Sequence, residues 1–231
     1  LPSAKFAAQN KIGFQIVYAS GETIKAIVKD SAAKIIHQTR PPDFNNLSGI
    51  VRQIAAHGEI LAQRFDKNVD FALIVEAETP PPPILKIVFD ALAHLVRNAV
   101  SHAFDRNGKI TIEAKDAPNG LVLKVSDDGK GLDAEKIRRA AIEKNLISNG
   151  DILSAKEITD LIFAPNFSTV ERVSDVSGRG VGLDAVKALT ENAGGEISVK
   201  SEAGAGTTFE IFLPVDFEKN RRDAETENDD D

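Results

Sequence analysis

Apolar residues recur at every third or fourth position in two stretches near the start of the chain. The first stretch begins at Glu22 and stops at the proline pair at 41–42, since proline cannot continue a helix. The second covers residues 47–65. This period predicts two helices joined by a short turn, a helical hairpin over residues 22–67. Residues 1–21 show no sustained pattern and are expected to form an irregular lead-in.

The two apolar stripes of this hairpin need a surface to cover them. One solution is pairing with a second copy of the chain into a four-helix bundle, and the other is packing onto the domain that follows. We favour the first, which predicts a homodimer. The expected contact residues are Ile27, Val28, Ile35, Ile50, Val51 and Ile54.

The pattern changes after residue 67. Alternating apolar residues from Val69 to Val75 predict a strand, and a strongly apolar helix is expected from Ile84 to Phe104. The later predicted elements are strands at 110–114 and 121–126 joined by an Asn-Gly turn, helices at 134–144 and 181–192, and strands at 196–201 and 207–213. This order indicates an α+β fold, a two-layer sandwich preceded by the helical hairpin.

Composition excludes several classes of protein. The chain has no cysteine, so disulfide scaffolds, thiolate zinc sites and cysteine nucleophiles are ruled out. Residues 216–231 carry a net charge of −5 out of −7 and are expected to form an acidic, disordered tail. The sequence has no basic stripe of the kind that binds nucleic-acid phosphates. It also has no apolar run that approaches the roughly 20 residues needed to span a bilayer. We therefore expect a cytoplasmic protein. The start at Leu1 and the absence of methionine suggest a segment of a longer chain.

Three polar side chains share one face of the apolar helix. His94, Asn98 and His102 are spaced four residues apart, so they project in the same direction. An asparagine carbonyl is a suitable single ligand for Mg²⁺, which takes its other ligands from water and phosphates. On its own, such a stripe is also what a solvated helix face looks like.

Two glycine-rich turns follow this helix. Asp127 ends a strand and leads into Gly129 and Gly131, where a carboxylate could accept a hydrogen bond from an exocyclic amine. The second turn opens directly into a helix, whose N-terminal amides favour an anion. It contains Gly178, Arg179, Gly180 and Gly182.

The order and spacing of these motifs resemble the ATP-binding domain of the gyrase–Hsp90–histidine kinase–MutL superfamily. The resemblance is closer to histidine kinases of the CheA type, through the helix motif at 94–102 and the segments 127–147, 161–187 and 201–214. It covers about residues 69–214 and implies a Bergerat-type ATP-binding domain over residues 68–215. It also implies that the hairpin over 22–67 is a dimerisation element.

The resemblance implies a role for each motif residue. Asp127 would accept from the adenine amino group, and Asn98 would hold Mg²⁺ between the phosphates, with His94 and His102 orienting the phosphate end. The remaining site residues are Gly129 and Gly131 beside the purine, Gly178, Arg179, Gly180 and Gly182 at the lid turn, Phe163 and Phe167 in a phenylalanine box, and Thr207 beside Asp127.

The implied function is a protein histidine kinase of two-component signalling that passes the γ-phosphoryl group of Mg-ATP to a histidine. We expect that histidine on another domain or protein, with a response regulator downstream; His37 and then His57 are weaker candidates within the chain. Two alternatives remain open. They are an ATP-sensing module without phosphotransfer and a serine kinase of the anti-sigma type, against which histidine at position 94 argues.

Overall fold

The computed structural model describes residues 14–19, 23–28, 46–165, 167 and 182–216. The strands are β1 (Phe14–Ala19), β2 (Thr23–Val28), β3 (Asn68–Glu76), β4 (Asn107–Ala117), β5 (Gly120–Asp127), β6 (Glu196–Glu202) and β7 (Gly206–Pro214). The helices are α1 (Leu47–Arg64), α2 (Pro82–Asn98), α3 (Ala134–Glu143), α4 (Ala155–Asp160) and α5 (Leu183–Asn192). A π-helical segment, here called the π turn, covers Ala99–Ala103, and a 3₁₀ turn covers Leu161–Phe163.

The strands form one sheet in the order β1-β2-β3-β4-β5-β7-β6. Neighbouring strands are antiparallel except β3 and β4, which run parallel and are connected through α2 and the π turn. Helix α1 packs on β3, α2 contacts β5, and α5 contacts β6 and β7. Helix α2 also contacts both α1 and α5. The result is a helical layer on a mixed sheet, so the predicted two-layer α+β sandwich is confirmed.

The irregular lead-in predicted over residues 1–21 is wrong at Phe14–Ala19, which form β1 and pair with β2. The predicted first helix of the hairpin is also wrong where the structure describes it. Residues 23–28 form β2, which pairs antiparallel with β3. The segment TIKAIV is rich in β-branched residues and too short for its apolar spacing to separate a helix from a strand. Pairing with β3 decides for the strand, because it satisfies the backbone groups of both segments. Ile35 and His37 lie outside the described residues.

The second predicted helix is present as α1, but its apolar stripe is covered within the chain. Leu47, Ile50, Val51 and Ile54 are at most 2% exposed, and α1 packs against α2 and β3. This is the alternative solution, packing onto the following domain. Ile50, Val51 and Ile54 are therefore unavailable for the predicted dimer contact.

Helix α2 connects the core to the site. It begins with Pro82 and Pro83, which suit the first helical positions because their missing N–H groups would be unpaired there. Its buried side, which includes Leu85, Val88, Leu92 and Leu95, faces the sheet and α1. The single helix predicted from 84 to 104 is an α-helix followed by the π turn. Phe104, directly after the π turn, has an extended backbone. The opposite side of α2 is free to carry polar residues.

Candidate functional site

A cavity of about 300 Å³ lies where α2 and the π turn face the ends of β5 and β7. Its lining brings together most of the residues that the motifs single out. Those in the lining are His94, Asn98, His102, Asp127, Gly131, Phe167, Gly182 and Thr207. Apolar residues that sequence reasoning missed complete the wall, among them Leu132, Ile137, Ile162 and Phe209.

The polar face of α2 forms one wall, as its spacing predicts. His94 and Asn98 are half-buried, and His102, which is exposed, follows in the π turn. Burial lowers the pKa of His94, helped by Arg97 and opposed by Asp184. Burial also lowers the pKa of His102, with further lowering from Lys67, Lys130 and Lys136. Both shifts favour the neutral imidazole, in which each ring can offer one donor and one acceptor.

Asp127 lines the cavity from the sheet, at the last position of β5. Its Oδ1 accepts a hydrogen bond from Gly129 N at 3.0 Å, and the backbone N–H of Thr207 also interacts with the carboxyl group. Burial raises the pKa of Asp127, and the hydrogen bonds from these two N–H groups lower it again only in part. The carboxyl group is thus held by backbone and presents acceptor capacity to the cavity.

Two positions in the turn after Asp127 have room only for glycine. A Cβ at Gly129 would overlap the carbonyl oxygen of Ala103, and Gly131 has a φ of +72°, where a Cβ would overlap the carbonyl oxygen of Glu202. Two backbone hydrogen bonds join this turn to the same two neighbouring segments. Lys130 N donates to Ala103 O at 3.0 Å, and Gly204 N donates to Lys130 O at 2.9 Å. The turn is therefore clamped between the π turn and the β6–β7 connection.

Ser201 fixes this turn to Thr207. Its Oγ accepts from Leu132 N at 2.8 Å, donates to the carbonyl of Gly206 at 3.0 Å and lies 3.0 Å from Thr207 Oγ1. A serine has one hydroxyl proton, so with that proton on Gly206 the Thr207 hydroxyl is the donor in the third contact. With its proton on Ser201, the Thr207 hydroxyl oxygen keeps the capacity to accept a hydrogen bond, and Thr207 lines the cavity and is paired with Asp127 across β5 and β7. No local pattern signals Ser201, because its partners come from two other segments.

The N-terminus of α5 lies at the cavity margin. Gly182 is its N-cap and has no side chain to cap the helix, but the Asp184 carboxyl group accepts a hydrogen bond from Ala185 N at 2.9 Å in the first turn. The amides of a helix N-terminus attract an anion, and here the Asp184 carboxylate already supplies one negative charge. The predicted companions Gly178, Arg179 and Gly180 lie outside the described residues.

The two predicted phenylalanines have different positions. Phe167 lines the cavity, whereas Phe163 is buried behind it and meets the cavity residue Phe209 edge to face, with ring centroids 6.3 Å apart. Lys187 of α5 lies 6.0 Å from the Phe163 ring. The 3₁₀ turn is thereby packed against both β7 and α5.

The donor set fits a magnesium ion that is shared with a phosphate ligand. Among the described residues no group of three or more histidine, cysteine or acidic side chains is placed to hold a metal. Asn98 offers one neutral oxygen at the cavity wall, which matches a Mg²⁺ ion that keeps waters and takes its other ligands from phosphates.

Comparison with known proteins decides the family. Residues 86–216, more than half of the chain, match the family described as histidine kinase-, DNA gyrase B- and HSP90-like ATPases. The chain belongs to that family. ATP binding follows from this family. In the described part of the chain, no helix is both long and apolar enough to cross a membrane.

Two relatives of the chain are chemotaxis proteins. The chain is 35% identical over 185 residues to the chemotaxis protein CheA of Bacillus subtilis, covering 74% of this chain and 26% of that protein. It is 36% identical over 203 residues to CheA of Rhizobium meliloti, covering 81% and 25%. The chain thus spans about a quarter of the length of these relatives. The solved catalytic domain of the histidine kinase ThkA resembles it with a TM-score of 0.48 and 22% identity, covering 74% of this chain and 93% of that one.

Proposed function

We propose that this chain is the ATP-binding catalytic core of a CheA-like protein histidine kinase. It would bind Mg-ATP and pass the γ-phosphoryl group to a histidine imidazole. The observation that carries the proposal is the arrangement of the cavity: a backbone-held carboxyl group from the sheet, and two imidazoles that flank an asparagine on the helix.

The two walls suit the two ends of ATP. The adenine amino group donates to Asp127, whose neighbour Thr207 presents a second acceptor. The phosphates then extend toward Asn98, His102 and the N-terminus of α5. Apolar residues such as Ile137 and Phe209 cover the purine between these ends.

The chemistry needs positioning and neutralisation of charge more than a base. The neutral imidazole of the acceptor histidine already has a lone pair, which forms the new N–P bond as the bond between the γ-phosphorus and the bridging oxygen breaks, leaving ADP. Mg²⁺ on Asn98 would neutralise phosphate charge. His94 and His102, whose pKa shifts favour the neutral imidazole, can orient phosphate oxygens or bound water without adding a fixed charge.

The partners follow from this reaction. A phosphoacceptor histidine domain must dock at the phosphate end of the cavity, and a response regulator receives the phosphoryl group next. The proposal places this chemistry in the cytoplasm, where ATP is available. The homodimer predicted through residues 22–67 is not supported by the buried stripe of α1.

The test is transfer from γ-labelled ATP to a separately supplied CheA phosphoacceptor domain, with and without Mg²⁺. We expect Mg²⁺-dependent label on the acceptor that is lost in acid, because phosphohistidine is acid-labile. Acid-stable label would indicate a serine kinase. Tight ATP binding without any transfer would indicate an ATP-sensing module. The chain alone is expected to stay unlabelled; label that disappears in His37→Gln would place the acceptor within it.

A further inference from the structure

Lys67 makes two long-range hydrogen bonds beside the site. Its Nζ donates to the carbonyl oxygens of Val100 at 2.8 Å and Ser101 at 2.9 Å, 33 and 34 residues away in sequence. Both carbonyls belong to the π turn, which lies at the end of a helix, where the last carbonyl groups have no partner within the helix. An ammonium group stabilises this position in two ways: it donates hydrogen bonds to the carbonyl groups, and its positive charge lies at the negative end of the helix dipole.

The backbone of Lys67 is itself fixed. Its N–H donates to Ala62 O at the end of α1 at 2.9 Å, and the next amide, that of Asn68, donates to Arg106 O at 2.7 Å. The Nζ also lies 5.7 Å from the centroid of the Phe65 ring. The side chain therefore reaches the π turn from an anchored base between α1 and β3.

The π turn carries the residues that face the phosphates. Asn98 directly precedes it, His102 lies within it, and its last carbonyl, that of Ala103, accepts from Lys130 in the glycine turn. A π turn is wider than an α-helical turn, and such segments often mark functional sites. Its shape sets where His102 points relative to Asn98.

We propose that Lys67 is a positioning residue: its ammonium group clamps the π turn through Val100 and Ser101 and so holds Asn98 and His102 at the cavity wall. Lys67 is absent from the cavity lining and acts through the backbone of the turn. The test of this inference by Mg²⁺-dependent ATP binding rests on the proposed function, whereas its test by amide hydrogen exchange does not.

The structural readout is amide hydrogen exchange across the π turn in the whole 231-residue chain without nucleotide. Lys67→Met removes the donors while keeping a similar length, and Lys67→Arg keeps donors that can span two carbonyls. Lys86→Met is the matched control, since Lys86 pairs with Asp90 on the outside of α2. We expect exchange over 99–104 to rise at least about tenfold in Lys67→Met only, with β4 and β5 unchanged. Unchanged exchange in this segment would overturn the proposal.

The functional readout is ATP affinity with and without Mg²⁺. In Lys67→Met the metal-free affinity should stay within about twofold, while the gain on adding Mg²⁺ is lost, and Lys67→Arg should restore it. Equal weakening in both conditions, or no rescue by arginine, would show a merely structural lysine. If Lys67→Met does not fold, Lys67→Gln replaces it in both measurements with the same expected and contradicting results. If the wild-type chain shows no Mg²⁺-dependent binding, the proposed function fails, whereas the exchange result still judges the clamp.

Discussion

The two ends of the cavity are built by different means. At the Asp127 end, strand termini and glycine turns are fixed by short backbone hydrogen bonds and by contacts that leave no room for a Cβ. At the Asn98 end, functional side chains project from a helix and a π turn, and the Lys67 side chain holds two carbonyl groups of that turn from outside the cavity. In the proposed function, the base is recognised by a side chain that backbone contacts fix, whereas the phosphates are handled by side chains on a helix end. Substitutions at the two ends should therefore separate binding from chemistry.

The largest effect is expected from Asn98→Ala. Loss of the only proposed protein ligand for Mg²⁺ removes charge neutralisation at the phosphates, so transfer to the acceptor domain should fall by about 100-fold or more. Metal-free ATP binding should persist. Single-turnover transfer and calorimetry measure the two quantities, with Asn68→Ala in β3 as the control. A variant that still transfers at the wild-type rate with Mg²⁺ would show that the metal is held elsewhere.

Asp127→Asn should weaken binding instead. The new amide can place a donor where the adenine amine also donates, at a cost of about 2 kcal/mol, or about 30-fold in affinity. The loss should be equal with and without Mg²⁺, because the change is at the base end. Calorimetry tests this against Asp70→Asn, an exposed position on β3. Unchanged affinity would remove Asp127 from the site.

Ser201→Ala should give a smaller loss at the same end. It leaves Leu132 N–H without its acceptor and frees the Thr207 hydroxyl to turn its proton toward the base. We expect about 1 kcal/mol, or about fivefold, in ATP affinity. Ser201→Thr keeps the hydroxyl and should recover most of it. If alanine and threonine weaken binding equally, the hydroxyl network does not orient Thr207.

The smallest effect is a pH dependence of stability from His94. Its folded-state pKa lies below its unfolded value because of burial, so the unfolded chain binds more protons. Its contribution is fully present above the unfolded pKa of about 6.5 and is lost as pH falls toward the folded value. Urea unfolding at pH 7.5 and 5.5 should show a smaller drop in the free energy of unfolding for His94→Gln than for the wild type. An identical drop would show that His94 is not the group involved.

These positions differ in how far sequence could predict them. The walls of the site were predictable because each motif is local: a four-residue spacing on one helix places His94, Asn98 and His102 together, and a strand followed by glycines places Asp127. Lys67 carries no such signal, since its partners lie 33 and 34 residues away, and Ser201 carries none because its bond to Leu132 joins it to a distant segment.

The fold shows the same limit. The elements from β3 onward follow their hydrophobic periods, whereas β2 was mistaken for a helix because its few residues fit both periods and only the neighbouring strand decides. The stripe of α1 was predictable, but its partner was not. Periodicity reports that a face is buried and says nothing about what buries it.

The most direct test of the two-ended site is a crystal structure of the chain with Mg²⁺ and a non-hydrolysable ATP analogue. We predict the adenine amino group within hydrogen-bond distance of the Asp127 carboxyl group, and Mg²⁺ on the side-chain oxygen of Asn98 with its other ligands from phosphates and water. A nucleotide in the reverse orientation, or one bound outside this cavity, would contradict the account.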